Sequence, residues 1–521
     1  APARAAAAPY GPAVAARFAE PSTQYSTPGL APERRGFTTN SELGQWLHNI
    51  ANAAPRGPTQ ASVLQLGASQ QGEPILGLLL TRAKGMDMAS LEANGRSTVV
   101  LIGQQHGDEP AGSEALLVVA RELAQGLLEP LLDRINVVVI PRANPDGATN
   151  GNRTTANGVD MNRDHLLLNT PEARALARVV RDYRPILVLD AHEFTVAGRY
   201  LQKFNAIQRY DALLQYTTTA NYHEFMTKAS QEWYHQPMLG ALQSQGMSSE
   251  WYYTTSTQPD DKRISMGGVQ PDTGRNVNGL KNAVSLLVET RGVGLGRLHI
   301  QRRVHTQVTT ITSALRSTAE RAADLEQVRS YVARDTASKA CKGQVVIEAQ
   351  ATPMQRELTM LDPDTGADRT LKVDWNSSLA LRPVKSRPRP CGYWLAAHAT
   401  AAVERLQMLG VQVLRIAEPG ALLADTYHET ARETTERTDV RGTIAGGSSI
   451  IRTQVTPVRS AIDVPAGSFY VPLNQGLAHL AVAALEPDTQ SSYFANRLID
   501  ELGSTARVMT VPSLVFEESD E

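Results

Sequence analysis

Cysteine is nearly absent: only Cys341 and Cys391 occur in 521 residues. So small a number excludes a scaffold knitted by disulfides and any cysteine-based metal site. It leaves one disulfide formed in an oxidising compartment, or two inert buried thiols, and the disulfide is the preferred reading. Aromatic residues make up 5% of the chain, and no apolar run reaches the roughly 18 residues of a membrane span. Neither sign of charge dominates, since 51 Lys and Arg stand against 53 Asp and Glu, for a net charge of -2. That balance offers no basic surface to nucleic acid or to an anionic membrane. With 42% hydrophobic residues, the chain reads as soluble and globular. It is too long for one ordinary core, so a large domain plus a smaller one is expected. It opens on Ala1-Pro2-Ala3-Arg4 and further alanines, with no starting Met. A mature exported protein looks like this, as does a shortened chain, and a periplasmic or secreted location is the expectation.

What is there begins with Val99-Val100-Leu101-Ile102-Gly103, an apolar run that reads as a buried strand and stops at His106-Gly107-Asp108-Glu109. A strand ending there delivers its next residues to the carboxyl edge of an open sheet, where such sheets place ligands. His-x-x-Glu lets an imidazole nitrogen and a carboxylate converge on one ion, and nitrogen with oxygen suits zinc. Gly107 and Gly112 would give that turn its freedom. Alone, the tetrapeptide could equally be a surface loop. The pattern recurs, however. Pro185 to Asp190 is another buried run ending at Ala191-His192-Glu193, and Ala283 to Val288 ends at Glu289-Thr290-Arg291-Gly292.

Around these, residues 1–35 form an Ala/Pro-rich lead, either flexible or strapped along the surface. A helix follows over 42–53, then a hairpin of strands over 61–67 and 74–83. The helix after His106 spans 111–126, the next strand 134–141, and Asn144-Pro145-Asp146-Gly147 is a turn by composition. Strands alternating with helices predict an α/β/α sandwich with a mixed, mostly parallel sheet over 36–300. Residues 301–338 read as long helices leading out of that domain. From 339 to 521, short alternating runs with interspersed helices predict a smaller, β-rich accessory domain.

Taken in order, His106-Gly107-Asp108-Glu109, Asn144-Pro145-Asp146-Gly147, Arg153, Gly158-Val159-Asp160-Met161-Asn162-Arg163, Asp190-Ala191-His192-Glu193 and Leu287-Val288-Glu289-Thr290 resemble the zinc carboxypeptidases of the M14 family. The resemblance covers roughly residues 36–300. It implies one Zn2+ per chain, held by His106, Glu109 and His192 with a fourth position for water. It implies Asp160 as the carboxylate that fixes the tautomer of His106. Glu289 would be the general base for a zinc-activated water, and Arg153 would stabilise the oxyanion. Asn162 and Arg163 would grip the terminal carboxylate of a peptide, as a guanidinium fork can. The competing readings are a Glu289 ion-paired to Arg291 and an Arg153 solvated in its loop.

The sequence departs from the familiar digestive members of that family in three places. Asp164-His165 follows Arg163 where an Asn and an aromatic are usual, and His165 is read as a structural loop residue. Tyr252 and Tyr253 are both candidates for capping the substrate, although aromatic clusters more often serve packing. The side-chain pocket is not identifiable. Arg275 could favour acidic side chains, though a surface salt link is the blander reading. The function expected is hydrolysis of the last peptide bond. The rivals are deacylation of N-acyl amino acids, cleavage of cell-wall peptides, or a zinc-free binding protein on the same fold.

Overall fold

Residues 8–519, apart from 54 and 56, are described by a computed structural model. The first seven residues of the N-terminal lead lie outside the described residues. The central sheet has eight strands in the order β1 (Gln60–Ala68), β2 (Pro74–Thr81), β4 (Ile135–Ile140), β3 (Ser97–Gly103), β5 (Leu187–Thr195), β10 (Val284–Val293), β6 (Ala212–Tyr216) and β7 (Ser249–Trp251). The pairs β4/β3, β3/β5, β5/β10 and β6/β7 are parallel and the other neighbours antiparallel.

The central strands are apolar on both faces because both faces are covered. Val99 and Leu101 of β3 join a core with Leu47, Leu116 and Leu315. Val100 and Ile102 point the other way, to Leu91, Leu176 and Val179. The helices Asn40–Asn52, Ala111–Gln125 and Ile300–Ser338 thus lie on one face, and Met88–Asn94 and Pro171–Tyr183 on the other. The sandwich is as expected. The helix Asn40–Asn52 starts where its Thr39/Glu42 capping box puts it, and Thr170 caps Pro171–Tyr183 by accepting from Ala173 N.

Two expectations need correction. Residues 300–338 form one 39-residue helix that does not lead away. Ile311, Ala314 and Leu315 are buried in the sheet's core, Gln307 Nε2 donates to the His192 carbonyl at 2.9 Å, and Arg303 grips Glu193 through Nε and Nη2 at 2.9 and 3.0 Å. Sequence periodicity shows that a helix has an apolar stripe, but not which surface the stripe meets. The C-terminal strands are also long rather than short: β11 (Gln344–Leu361) and β12 (Asp368–Pro388) form one hairpin, and Gly420–Thr435 pairs with Ile450–Val464 in another. Polar residues on both faces of these ribbons mask their period.

The hairpin β11/β12 is attached to the part of the chain that carries the central sheet. Trp375 of β12 pairs with Ile264 of β9 (Ile264–Met266), which pairs in turn with β8 (Tyr253–Thr254). Cys341 and Cys391 are disulfide-bonded and close the hairpin's base. From residue 8 to about residue 35 the chain is a strap along the surface, for Val14 and Phe18 are buried and Thr27 Oγ1 donates to Glu114 Oε2 at 2.5 Å. Among the described residues no helix is long and apolar enough to cross a membrane.

Candidate metal centre and active site

The loop leaving β3 turns at Gln104, whose φ is 51°. Its side chain is held from both sides, accepting from Arg142 Nε at 2.7 Å and donating to the Gly107 carbonyl at 3.0 Å. Asn144 donates to the carbonyls of Gln105 and Thr154, both at 3.1 Å, and caps the short helix Pro145–Asn150. The segment taken for a turn is therefore a capped helix that buttresses the His106 loop. Gly107 and Gly112 are there for close approach, since neither has a positive φ. A Cβ on Gly112 would lie 2.9 Å from that of Ala191, and one on Gly107 would lie 2.0 Å from the Gly147 carbonyl carbon and 2.4 Å from the Asn152 oxygen. Gly107→Ala must push two backbone segments apart. It should cost about 1–3 kcal/mol or more together with zinc retention, and an Ala variant as stable and as metal-rich as the parent would sink this account.

His106, Glu109 and His192 are all buried and bring one ligand atom each to within 4.8 Å of one another. Both imidazoles face the same carboxylate: His106 Nδ1 lies 2.6 Å from Glu109 Oε2, and His192 Nδ1 lies 3.2 Å from Glu109 Oε1. Two nitrogens and one carboxylate oxygen, convergent and shielded from solvent, are a donor set suited to zinc. Burial penalises the charge on Glu109, but His106 and His192 outweigh it and hold the carboxyl well below its ordinary range. Burial works against the charge on His192 as well, yet Glu109 raises its imidazole to about 9.

Asp160 Oδ1 sits 2.9 Å from His106 Nε2, the ring nitrogen turned away from Glu109. Arg153 bridges Asp160 and the centre: Nη2 is 2.9 Å from Asp160 Oδ2, and Nη1 is 3.4 Å from His106 Nδ1 and 3.7 Å from Glu109 Oε2. It is not a solvated loop arginine.

Glu289 is the direct cross-strand partner of His192 in the parallel pair β5/β10. Residues opposite one another in register project to the same face of the sheet, so both reach the same cavity. Burial pushes the Glu289 carboxyl up to about 7, with His192 opposing. The rival ion pair with Arg291 does not form. Arg291 donates to the Gln208 carbonyl at 2.6 Å and lies 3.6 Å from the centroid of Phe18.

The cavity, about 330 Å³, also takes in Asn162, Arg163, Tyr252 and Arg275. Asn162 Oδ1 accepts from Gly274 N at 3.0 Å. Arg163 Nε donates to Asp439 Oδ2 at 2.8 Å. The neighbouring tyrosines divide their roles. Tyr252 is half-buried and the Glu289 charge acts on its hydroxyl. Tyr253 is 1% exposed, donates to Gln208 Oε1 and packs against Tyr200 and Trp375. Arg275 is no surface salt link: buried, it donates to the Tyr216 and Gly268 carbonyls and to Thr218 Oγ1 at 2.6–3.0 Å. His165 is structural, lying 2.7 Å from Gln105, which donates to Asp190. Sequence reasoning missed Arg199, Val440 and Arg441, which also line the cavity.

Residues 44–266 match the family model for zinc carboxypeptidases, peptidase family M14. Over these residues the chain is an M14 zinc carboxypeptidase. It is a metallocarboxypeptidase whose cofactor is zinc, and the buried His-Glu-His group could bind that metal. The chain is 26% identical over 482 residues to carboxypeptidase 2 of Trichophyton equinum, covering 91% of this chain and 87% of that one. With carboxypeptidase 2 of Trichophyton rubrum it shares 27% over 399 residues, 76% of this chain and 72% of the relative. Mouse carboxypeptidase D is 31% identical over 199 residues, 30% of this chain and 14% of that protein. The family match ends before Glu289, so that residue rests on its register opposite His192.

Proposed function

We propose that His106, Glu109 and His192 hold the zinc of this carboxypeptidase and that Glu289 is its general base. The observation that carries this reading is the pairing of Glu289 with His192 across two parallel strands, above the His106–Glu109 loop. Bound there, zinc supplies a Lewis acid that activates water and polarises the scissile carbonyl. Glu289 takes the proton from that water and passes it to the leaving amine. Its burial favours proton uptake, and a neighbouring dication would oppose burial and keep the resting carboxylate ionised.

Asp160 accepts the imidazole N–H of His106 and so fixes the tautomer. Arg153, held by Asp160, turns its Nη1 toward the metal-binding group and meets the developing oxyanion. Asn162 and Arg163 receive the terminal carboxylate. This supports peptides with a free C-terminus over N-acyl amino acids as substrate, with Tyr252 at the cavity wall. Tyr253 takes no direct substrate role in this proposal, because its hydroxyl is spent on Gln208, and Arg275 takes none because both of its Nη atoms donate to the protein, whereas Arg163 uses Nε and Nη1 and, among the described residues, keeps Nη2. In this reading the long helix is counted with the catalytic part, since its side chains pack on the sheet. Secretion or a periplasmic location accords with the disulfide.

The test is a peptide library carrying free, amidated and D-amino-acid C-termini, given to the zinc-loaded and the chelator-stripped enzyme. Release of single L-residues from free termini, lost on stripping and restored by Zn2+, is expected. Equal cleavage of amidated termini, or activity that survives stripping, would overturn the reading.

A further inference from the structure

A small hairpin of the C-terminal region reaches the catalytic cavity. Thr438–Asp439 pairs with Gly442–Thr443, and the two residues at its turn, Val440 and Arg441, line the cavity wall. The hairpin is bound firmly to the catalytic half. Asp439 Oδ2 accepts from Arg163 Nε at 2.8 Å, with the two side chains only 13% and 11% exposed. Asp439 Oδ1 accepts the backbone N–H groups of Arg441 and Gly442 at 2.8 and 3.2 Å. One carboxylate thus ties the turn to the arginine proposed to read the substrate's end. Arg437 Nη2 donates to the Arg163 carbonyl at 2.7 Å, Asp160 N to the Ala445 carbonyl at 3.2 Å, and Thr257 N to the Arg441 carbonyl at 3.0 Å.

Arg441 itself is unspent. Its side chain is half-buried against the cavity, and among the described residues its guanidinium makes no ion pair and donates no hydrogen bond; its neighbour Asp439 is taken by Arg163. Arg441 and Tyr252 line the same cavity, so the guanidinium charge sits at the wall that carries that tyrosine. Arg199, also on the cavity, uses Nη1 on the Thr255 carbonyl. A partly desolvated guanidinium without a partner, facing a site that takes peptide ends, is a seat for a carboxylate.

We propose that Arg441 is a substrate-binding residue that receives a carboxylate of the peptide beside Arg163, so that the C-terminal region completes the specificity site. This rests on the carboxypeptidase reading above. The carboxylate is either the terminal one or the side chain of an acidic last residue, and one set of substrates separates the two.

The full-length, zinc-loaded enzyme is assayed as parent, Arg441→Ala and Arg441→Lys on three N-blocked dipeptides ending in Glu, Gln and Gln amide. For Arg441→Ala, kcat/KM should fall about 10-fold or more, carried by KM and partly restored in the Lys variant. A fall on the Glu peptide alone assigns Arg441 to the acidic side chain; an equal fall on Glu and Gln assigns it to the terminal carboxylate. An unchanged KM on both acids, a loss confined to kcat, or Lys no better than Ala would overturn the proposal. If the Ala variant does not fold, Arg441→Gln replaces it under the same criteria. Parent enzyme that cleaves the amide as fast as the acid would instead sink the carboxypeptidase reading, whatever Arg441 does.

Discussion

Glu289→Gln should keep one zinc per chain and lose about 10²- to 10⁴-fold in kcat, the range over which a positioned general base contributes. The amide is nearly isosteric with the carboxylate, so cavity shape and the β5/β10 register with His192 persist. What disappears is the group able to accept a proton. Since Glu289 is not among the three side chains that cluster as metal ligands, zinc content measured by elemental analysis should match the parent. KM should change little, because the base acts on water and not on the substrate's terminus. A variant that keeps the parental kcat removes Glu289 as the base. One that loses zinc makes it a ligand instead.

Arg163→Ala should lower kcat/KM on free-carboxylate peptides by about 10- to 150-fold, the value of a charge-assisted contact of ~1.5–3 kcal/mol, and should leave amidated analogues nearly untouched. The difference between the two substrates is the informative quantity. Removing Arg163 also leaves the Asp439 carboxylate without its partner in a site where the pair is mostly buried, so some loss of stability accompanies the change. That loss acts on acid and amide substrates alike and cancels in their ratio. Circular dichroism and the thermal midpoint report it separately. Equal losses on acid and amide would show that Arg163 does not read the terminal carboxylate.

Much of the catalytic half was legible in advance because its signals are local. The apolar runs at 99–103, 135–140 and 284–288 lie in strands buried on both faces, and the point where such a run gives way to a His or a Glu is visible in the sequence, although β5 and β10 continue past His192 and Glu289. Thr39 with Glu42, and Thr170 before Pro171, mark helix starts through bonds that span three residues. Tyr252 and Tyr253 were both candidates, and nothing in the sequence chose between them. Both line the cavity; that Tyr253 is the buried one follows from its packing against Tyr200 and Trp375, contacts outside the local pattern.

The C-terminal half was read least well. Its ribbons carry polar residues on both faces, so the two-residue period that announces a half-buried strand is weak, and their lengths were underestimated. Arg441 gave no signal. It sits in a short turn 278 positions beyond Arg163, and nothing in a residue's neighbours along the chain records such a distance.

By itself the chain's order of residues determined the sandwich and singled out His106, Glu109, His192 and Glu289 as candidates, because apolar runs and capped turns are built from interactions a few residues long. Tertiary structure alone decided that the long helix clasps β5, that Arg163 is held by Asp439, and that Arg441 stands at the cavity wall. Those outcomes depend on which surfaces remain to be covered once the sheet has formed, and burial of that kind is a property of the packed whole.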